Sequence, residues 1–199
     1  MDNKPYSESC DQNREPILAV LRAAFADRRH VLEIGSGTGQ HAVYFGAELP
    51  YLRWQTADVR AHHSGIAAWL VEAALPNVLP PLELDVNTQD WHDGRYDAVF
   101  SANTLHIMSQ AEVEKCFAGI GQVLEPGGIL AIYGPFNYRG QFTSDSNARF
   151  DQWLKSRNPA SGIRDFETVD ALARQQNLRL IDDHAMPANN RTLVWTKMS

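Results

Sequence analysis

The stretch Val31-Leu32-Glu33-Ile34-Gly35-Ser36-Gly37-Thr38-Gly39 predicts a short buried strand that runs into a tight glycine-rich turn. A helical pattern of apolar residues, from His41 to Leu49, follows directly. Glycines let the backbone approach a ligand closely and adopt dihedral angles that other residues avoid. A helix that starts at such a turn offers free N–H groups and a positive dipole end to a carboxylate or phosphate. Strand, turn and helix start together predict a cradle for a nucleotide cofactor.

The glycine spacing distinguishes two kinds of cradle. The dinucleotide-binding fingerprint is G-x-G-x-x-G. Here the third glycine, Gly39, comes one residue earlier, and Gln40 stands where the fingerprint has its last glycine. The chain therefore lacks the third glycine of an NAD site, although the acid that such a site needs at the end of the second strand is present.

The bulk properties are those of a water-soluble globular domain. The chain has 199 residues, 44% of them hydrophobic and 21% charged, with a net charge of −6. This length favours one domain, residues 1–199. An acidic chain without a basic run disfavours nucleic acid as a partner. No apolar stretch approaches the length of a membrane span, and Cys10 and Cys116 lie far apart, so we expect a cytoplasmic protein without a membrane partner.

Segments with strand character alternate with segments of helical periodicity. The predicted strands are Val31–Ile34, Leu52–Ala57, Leu82–Val86, Tyr96–Ala102, Ile129–Tyr133, Leu178–Asp182 and Leu193–Thr196. The predicted helices are Pro16–Phe25, His41–Leu49, Ile66–Leu75, Ser109–Leu124, Asn147–Ser156 and Asp165–Gln176, with Pro16 in a first turn and a capping box at Ser109. This order predicts an α/β fold with a mainly parallel sheet, helices on both faces and an antiparallel partner strand at the end.

The pattern Glu-x-Gly-x-Gly-x-Gly resembles motif I of the class I S-adenosylmethionine-dependent methyltransferases. Further segments are similar to a bacterial family catalogued as a domain of unknown function and related to eukaryotic methyltransferase-like proteins. They are Asn13–Ile17, Ser101–Ile107, Tyr133–Asn137 and Ala185–Asn190. The resemblance implies a Rossmann-like, seven-stranded fold with a C-terminal hairpin, and S-adenosylmethionine as cofactor. The family's name carries no substrate.

Polar residues at the predicted strand ends fit this cofactor. In open α/β sheets ligands lie beyond the carboxyl ends of the strands. There Asp58 is placed to accept hydrogen bonds from ribose hydroxyls, Asp85 and Val86 to read an adenine edge, and Asn103 to face the methionine half. By resemblance, the predicted cofactor-binding residues are Asn13, Glu33, Gly35, Ser36, Gly37, Gly39, Asp58, Asp85, Val86 and Asn103. Taken singly, Asp58 and Asp85 are as well explained as turn formers or helix caps.

The acceptor side is less defined. His106, four residues past a predicted strand, is a candidate general base, and the alternative is a contact to its own loop. Tyr133, at the end of the next predicted strand, is a second catalytic candidate. It either lines the acceptor pocket or packs against the irregular segment that follows it. Residues 134–164 break the alternation of strands and helices, and we predict that they form a substrate-side insertion. Residues 1–28 are predicted to form a helical lid. No metal-ligand spacing occurs, so no metal is expected.

Three functions remain open. The first is transfer of a methyl group from S-adenosylmethionine to a small-molecule acceptor. The second is a protein that binds S-adenosylmethionine or S-adenosylhomocysteine without transferring the methyl group, as a sensor or partner subunit, because fold and cofactor site do not establish catalysis. The third is an NAD-dependent oxidoreductase. The acceptor and the oligomeric state do not follow from the sequence.

Overall fold

A computed structural model describes residues 4–88, 91 and 94–199 of the chain. The helices are α1 (Glu8–Ala24), α2 (Gln40–Glu48), α3 (His63–Ala73), α4 (Gln110–Val123), α5 (Asp145–Arg157) and α6 (Phe166–Gln175). The strands are β1 (His30–Ile34), β2 (Arg53–Asp58), β3 (Val78–Glu83), β4 (Tyr96–Ala102), β5 (Leu124–Gly134), β6 (Phe136–Asn137), β7 (Arg164–Asp165), β8 (Leu178–Met186) and β9 (Asn190–Lys197).

Seven strands form one sheet in the order β3-β2-β1-β4-β5-β9-β8. Strands β1 to β5 pair in parallel, whereas β9 runs antiparallel to both of its neighbours. The short strands β6 and β7 form a separate parallel pair. The predicted α/β fold, with its seven strands and C-terminal antiparallel hairpin, is confirmed.

Helices cover both faces of the sheet because side chains alternate along each strand. On β1, Val31 packs with apolar residues of α1 and α2, whereas Leu32 packs with those of α4 and α6. Phe45 and Phe117 are fully buried on opposite faces. Burial on both faces explains why the central strands read as continuous apolar runs. None of the described helices is both long and apolar enough to cross a membrane.

Helix α1 begins at Glu8, so the predicted start at Pro16 is wrong. Pro16 lies in the helix interior, where its ring removes one backbone hydrogen bond. The second half of the helix buries Ile17 and Leu21 in the core. The first half is mostly polar and carries no apolar periodicity, so the sequence pattern did not show it.

Strand β3 lies earlier than predicted: it spans Val78–Glu83 and contains Pro80 and Pro81. Prolines are compatible with β3 because it is an edge strand. The pairing with β2 is irregular at this point, and the Gln55 side chain donates to the Pro80 carbonyl over 2.7 Å. Asp85 and Val86, predicted as the strand end, therefore lie in the loop that follows.

The C-terminal hairpin is longer than its apolar residues indicate. Strand β8 continues past Asp182 to Met186, and β9 begins at Asn190, three residues before the predicted start at Leu193. The polar residues between were interpreted as a turn. They pair across the two strands, and a short 3-10 turn at Pro187–Asn189 makes the connection.

The capping box predicted at the start of α4 is present. The Ser109 hydroxyl accepts a hydrogen bond from the Glu112 amide over 3.3 Å, and the Ser109 amide donates to the Glu112 carboxylate over 2.7 Å. Ser7 precedes α1 in the same position but makes no side-chain cap. The two serines thus form a matched pair.

We expect Ser109→Ala to lower the free energy of unfolding by about 1 kcal/mol, because the substitution leaves a helix N–H without its partner. Urea denaturation of both serine variants measures this loss. Ser7→Ala is the control and should cost clearly less. Equal losses in the two variants would contradict a capping role for Ser109.

Candidate functional site

A cavity of about 390 Å³ lies at the carboxyl ends of the parallel strands. Most of its walls come from the start of α1, the glycine loop after β1, the end of β2 and the loops after β3 and β4, and His41 of α2 and Glu112 of α4 add to the lining. This size falls in the range of pockets that hold small molecules and cofactors. Of the predicted cofactor residues, those that line the cavity are Gly35, Ser36, Gly37, Asp58, Asp85, Val86 and Asn103.

Glycines shape the loop of residues 35–39 for close packing as well as for left-handed backbone angles. Gly35 and Gly39 have φ angles of 72° and 93°. A Cβ on Gly35 would lie 2.7 Å from the Thr104 hydroxyl, and one on Gly39 only 3.1 Å from the Ile66 Cα. The loop is therefore held between the segment after β4 and helix α3. Gly39 acts behind the cavity wall, since it is not among the lining residues.

Asp58 connects the end of β2 to the glycine loop. Its Oδ2 accepts a hydrogen bond from the Gly37 amide over 2.7 Å, and its Oδ1 accepts one from the Val59 amide over 2.7 Å. The His62 Nδ1 lies 2.8 Å from the same Oδ1. A carboxylate has about four acceptor positions, so the described residues leave one open on Oδ2. Asp58 thus fixes the loop and still presents an acceptor to the cavity.

The loop after β3 forms an apolar wall with one carboxylate. Leu84 and Val86 are buried and line the cavity. Asp85 accepts a hydrogen bond from the Asn87 amide over 2.8 Å, which is an Asx turn. Asp85 therefore forms a turn and also lines the cavity.

Asn103 follows β4 with a φ angle of 57°, a left-handed conformation that asparagine tolerates. Its amide still donates to the Tyr133 carbonyl of β5 over 2.9 Å, and the left-handed conformation then ends the strand. The turn places Asn103 and Thr104 on the cavity wall.

Glu33 lies beneath the glycine loop rather than in the cavity. Its side chain is buried and accepts a hydrogen bond from the Trp54 indole over 3.1 Å. Burial raises the pKa of this carboxyl to about 7, against hydrogen bonds from Trp54 and Ser36 that lower it. Ser36 also donates to the Glu33 carbonyl over 3.4 Å. This arrangement suits Glu33 to orienting the glycine loop rather than to contacting a ligand.

The two predicted catalytic residues lie outside the cavity lining. The His106 ring packs edge-on against Phe150, and burial lowers its pKa to about 4. The Tyr133 side chain is buried in the core, and its hydroxyl interacts with Asn13 and Asn190. Asn13, predicted as a cofactor residue, is likewise buried behind the wall. The catalytic roles of His106 and Tyr133 stay predictions.

His41 is a cavity residue that the sequence interpretation missed. Its ring lines the wall, and its Nε2 lies 2.7 Å from the Asn13 Oδ1. Burial lowers its pKa to about 4, so the ring is neutral at pH 7. The available signal was its place, two residues after Gly39 in the first turn of α2. Ser7, Ser9 and Cys10 also line the wall; they belong to the segment 1–28 that the sequence predicts as a lid, although none of them was named as a cofactor residue.

The segment that follows α5 holds the loop after β4. Three successive carbonyls of that loop are satisfied from this segment: His106 by the Gly162 amide, Ile107 by the Ser161 hydroxyl and Met108 by the Arg164 guanidinium. The distances are 2.9, 2.8 and 2.8 Å. Ile107 and Met108 line the cavity, so residues 134–164 support one of its walls.

Strand order, glycine loop and cavity position together define the fold of the class I S-adenosylmethionine-dependent methyltransferases. The chain belongs to the family described as protein of unknown function DUF938, whose model matches residues 4–197. The resemblance seen in the sequence is thereby confirmed.

Proteins of known activity support the same class. The chain is 31% identical over 128 residues to the tuberculostearic acid methyltransferase UfaA1 of Mycobacterium tuberculosis. The match covers 64% of this chain but only 29% of that relative. This similarity shows a distant methyltransferase homologue and leaves the acceptor open.

Solved structures share the fold at low sequence identity. An O-methyltransferase family protein from Burkholderia thailandensis superposes with a TM-score of 0.83 at 17% identity, over 93% of this chain and 56% of the other. A structure of PigF with SAH gives a TM-score of 0.77 at 14% identity, over 92% of this chain and 61% of the other. The chain thus spans somewhat more than half the length of these proteins.

The buried Glu33 makes stability depend on pH. The unfolded carboxyl loses its proton near pH 4.5, whereas the folded one keeps it to about pH 7. The stability that protonated Glu33 contributes is therefore fully present below pH 4.5 and is lost as the pH rises to about 7. Glu33→Gln keeps an acceptor for Trp54 without the charge. The free energy of unfolding of Glu33→Gln, relative to that of the unsubstituted protein, should therefore rise by roughly 1–3 kcal/mol between pH 5 and pH 8.

Urea denaturation at the two pH values checks this expectation, with the exposed Glu15→Gln as a control for loss of one carboxylate. A difference between Glu33→Gln and the unsubstituted protein that stays constant with pH would contradict it.

Proposed function

We propose that this protein is an S-adenosylmethionine-dependent methyltransferase that acts on a small-molecule acceptor. The observation that carries the proposal is the cavity at the strand ends, where Asp58 both fixes the glycine loop and lines the wall. The methyltransferase relative and the PigF structure with SAH support the choice of cofactor.

The residues of the cavity fit the parts of this cofactor. The remaining acceptor position of Asp58 suits a ribose hydroxyl. The apolar wall of Leu84 and Val86 suits an adenine ring, with the Asp85 carboxylate near its edge. The first turn of α2 follows the glycine loop, and its dipole favours the carboxylate of the methionine half.

When bound, S-adenosylmethionine supplies a methyl group on a positively charged sulfur. The protein's contribution is then to hold the acceptor in line with that methyl group and to exclude water. His41 on the cavity wall is neutral at pH 7, and its Nε2 donates to the Asn13 Oδ1, so the ring holds α1 against the site and its low pKa makes it a poor general base. His106 is also neutral at this pH, but it is not among the residues that line the cavity.

Residues 134–164 are the proposed acceptor side. They support the loop that carries Ile107 and Met108, and the Phe150 and Trp153 rings stack 5.7 Å apart, with Trp153 half exposed. Asn137 is buried, and its side-chain oxygen has no hydrogen-bond partner among the described residues. These features suit an acceptor with an apolar part and a hydrogen-bond donor.

The cofactor assignment predicts that S-adenosylhomocysteine binds and NADH does not. In calorimetric titrations we expect Asp58→Asn to weaken S-adenosylhomocysteine binding by about 1–3 kcal/mol, because it removes a charged acceptor. The exposed Asp182→Asn is the control. Unchanged affinity in Asp58→Asn would remove Asp58 from the site, and binding of NADH alone would favour the oxidoreductase.

Catalysis itself needs a separate measurement. Incubation with methyl-labelled S-adenosylmethionine and a fractionated cell extract should label a compound in the small-molecule fraction. Label confined to protein or nucleic acid would contradict a small acceptor. Binding of the cofactor without label in any fraction would favour a binding protein without transferase activity.

A further inference from the structure

Residues 4–10, called the strap below, contact α3 at Lys4 and Pro5 and continue along the cavity wall into the first turn of α1. Three of them, Ser7, Ser9 and Cys10, form part of the cavity wall. The cavity described above is therefore complete only while the strap lies in this position. Two groups of contacts hold it there.

The first contact is made by Gln40, the first residue of α2. Its Oε1 accepts a hydrogen bond from the Ser7 amide over 2.6 Å, and its Nε2 donates to the Ser7 carbonyl over 3.2 Å. The Thr38 hydroxyl, 3.0 Å from the same Oε1, orients the amide. Gln40 is 5% exposed, so one buried side chain satisfies both backbone groups of a strap residue.

The second contact is made by α3. The Trp69 indole donates to the Pro5 carbonyl over 2.7 Å, and the Lys4 ammonium lies 3.6 Å from the centre of the Trp69 ring. Gly65 provides the space for this approach, because a Cβ at that position would lie 2.6 Å from the Pro5 Cγ. The exposed ion pair from Lys4 to Glu72 adds little, since surface pairs are weak.

We propose that Gln40 is a positioning residue that completes the cofactor site by latching the strap across it, and that the cofactor enters and leaves when this latch opens. The proposal rests on the proposed function, in which the cavity holds S-adenosylmethionine. The strap residues are exposed or half-buried, whereas the apolar residues Ile17, Leu18, Val20 and Leu21 of α1 are buried in the core. Local opening of the strap therefore costs far less than unfolding.

The position of Gln40 supports this role. It directly follows the glycine loop, at the place where a dinucleotide-binding loop has a glycine that packs helix against strand. Here the position carries a buried amide that reaches the strap instead.

Gly65→Ala separates a latch from a merely structural contact. Alanine in place of a helical glycine favours the helix, so the melting temperature should stay the same or rise. The added methyl group should nevertheless displace Pro5. We expect S-adenosylhomocysteine to dissociate about fivefold faster or more in stopped-flow measurements, the change that corresponds to loss of one hydrogen bond.

Gln40→Ala and Trp69→Phe remove the two attachments of the strap one at a time. Both should raise the association and the dissociation rates of S-adenosylhomocysteine, and both should remove hydrogen-exchange protection from residues 4–10 in the ligand-free protein. The control is Gln175→Ala, which deletes an exposed glutamine of α6, a helix that carries neither attachment of the strap. It should leave rates and protection unchanged.

The outcomes separate this proposal from the proposed function. If the unsubstituted protein does not bind S-adenosylhomocysteine, the proposed function fails and the latch fails with it. If it binds, and the dissociation rate is unchanged in Gly65→Ala and Gln40→Ala, only the latch is overturned. Faster dissociation of S-adenosylhomocysteine in both variants, with a melting temperature that is not lowered in Gly65→Ala, supports it.

Discussion

The hydrogen bond from the Gly37 amide to the Asp58 carboxylate joins the two strands on which the site depends. The glycine loop comes from β1 and the acid from β2, and these strands are neighbours in the sheet. The amides of Gly35 and Ser36 add two bonds to the Ala57 carbonyl, over 2.9 and 3.1 Å. The loop is thus fixed to β2 before any ligand arrives, and such preorganisation lowers the cost of binding.

Helix α1 connects this preorganised part of the site to the part that is able to move. Its second half is packed into the core beside α2, whereas its first half carries Cys10 on the cavity wall and Asn13 behind it. His41 bridges the two regions, since it lines the wall and contacts Asn13. The C-terminal half of α1 is therefore part of the core, and its N-terminal half is part of the site. Pro16 lies between the two halves.

The glycine loop, β1, β4 and the capping box at Ser109 could be predicted because each depends on residues close together in sequence. Strand β3 was misplaced because the compatibility of Pro80 and Pro81 with a strand depends on its position at the sheet edge. Gln40 and His41 were missed for a related reason. Their roles come from contacts with residues about thirty positions earlier, which no local pattern shows. Conversely, His106 was chosen for its position after β4, and only burial shows that its ring packs away from the cavity lining.

The most direct test of the account is a crystal structure of the protein with S-adenosylhomocysteine. We expect the ribose to lie against Asp58 and the adenine against Leu84 and Val86. The amino-acid end should lie at the first turn of α2, with the strap closed over the ligand. Density for the ligand at another place on the protein, or a nucleoside bound without contact to Asp58, would contradict it.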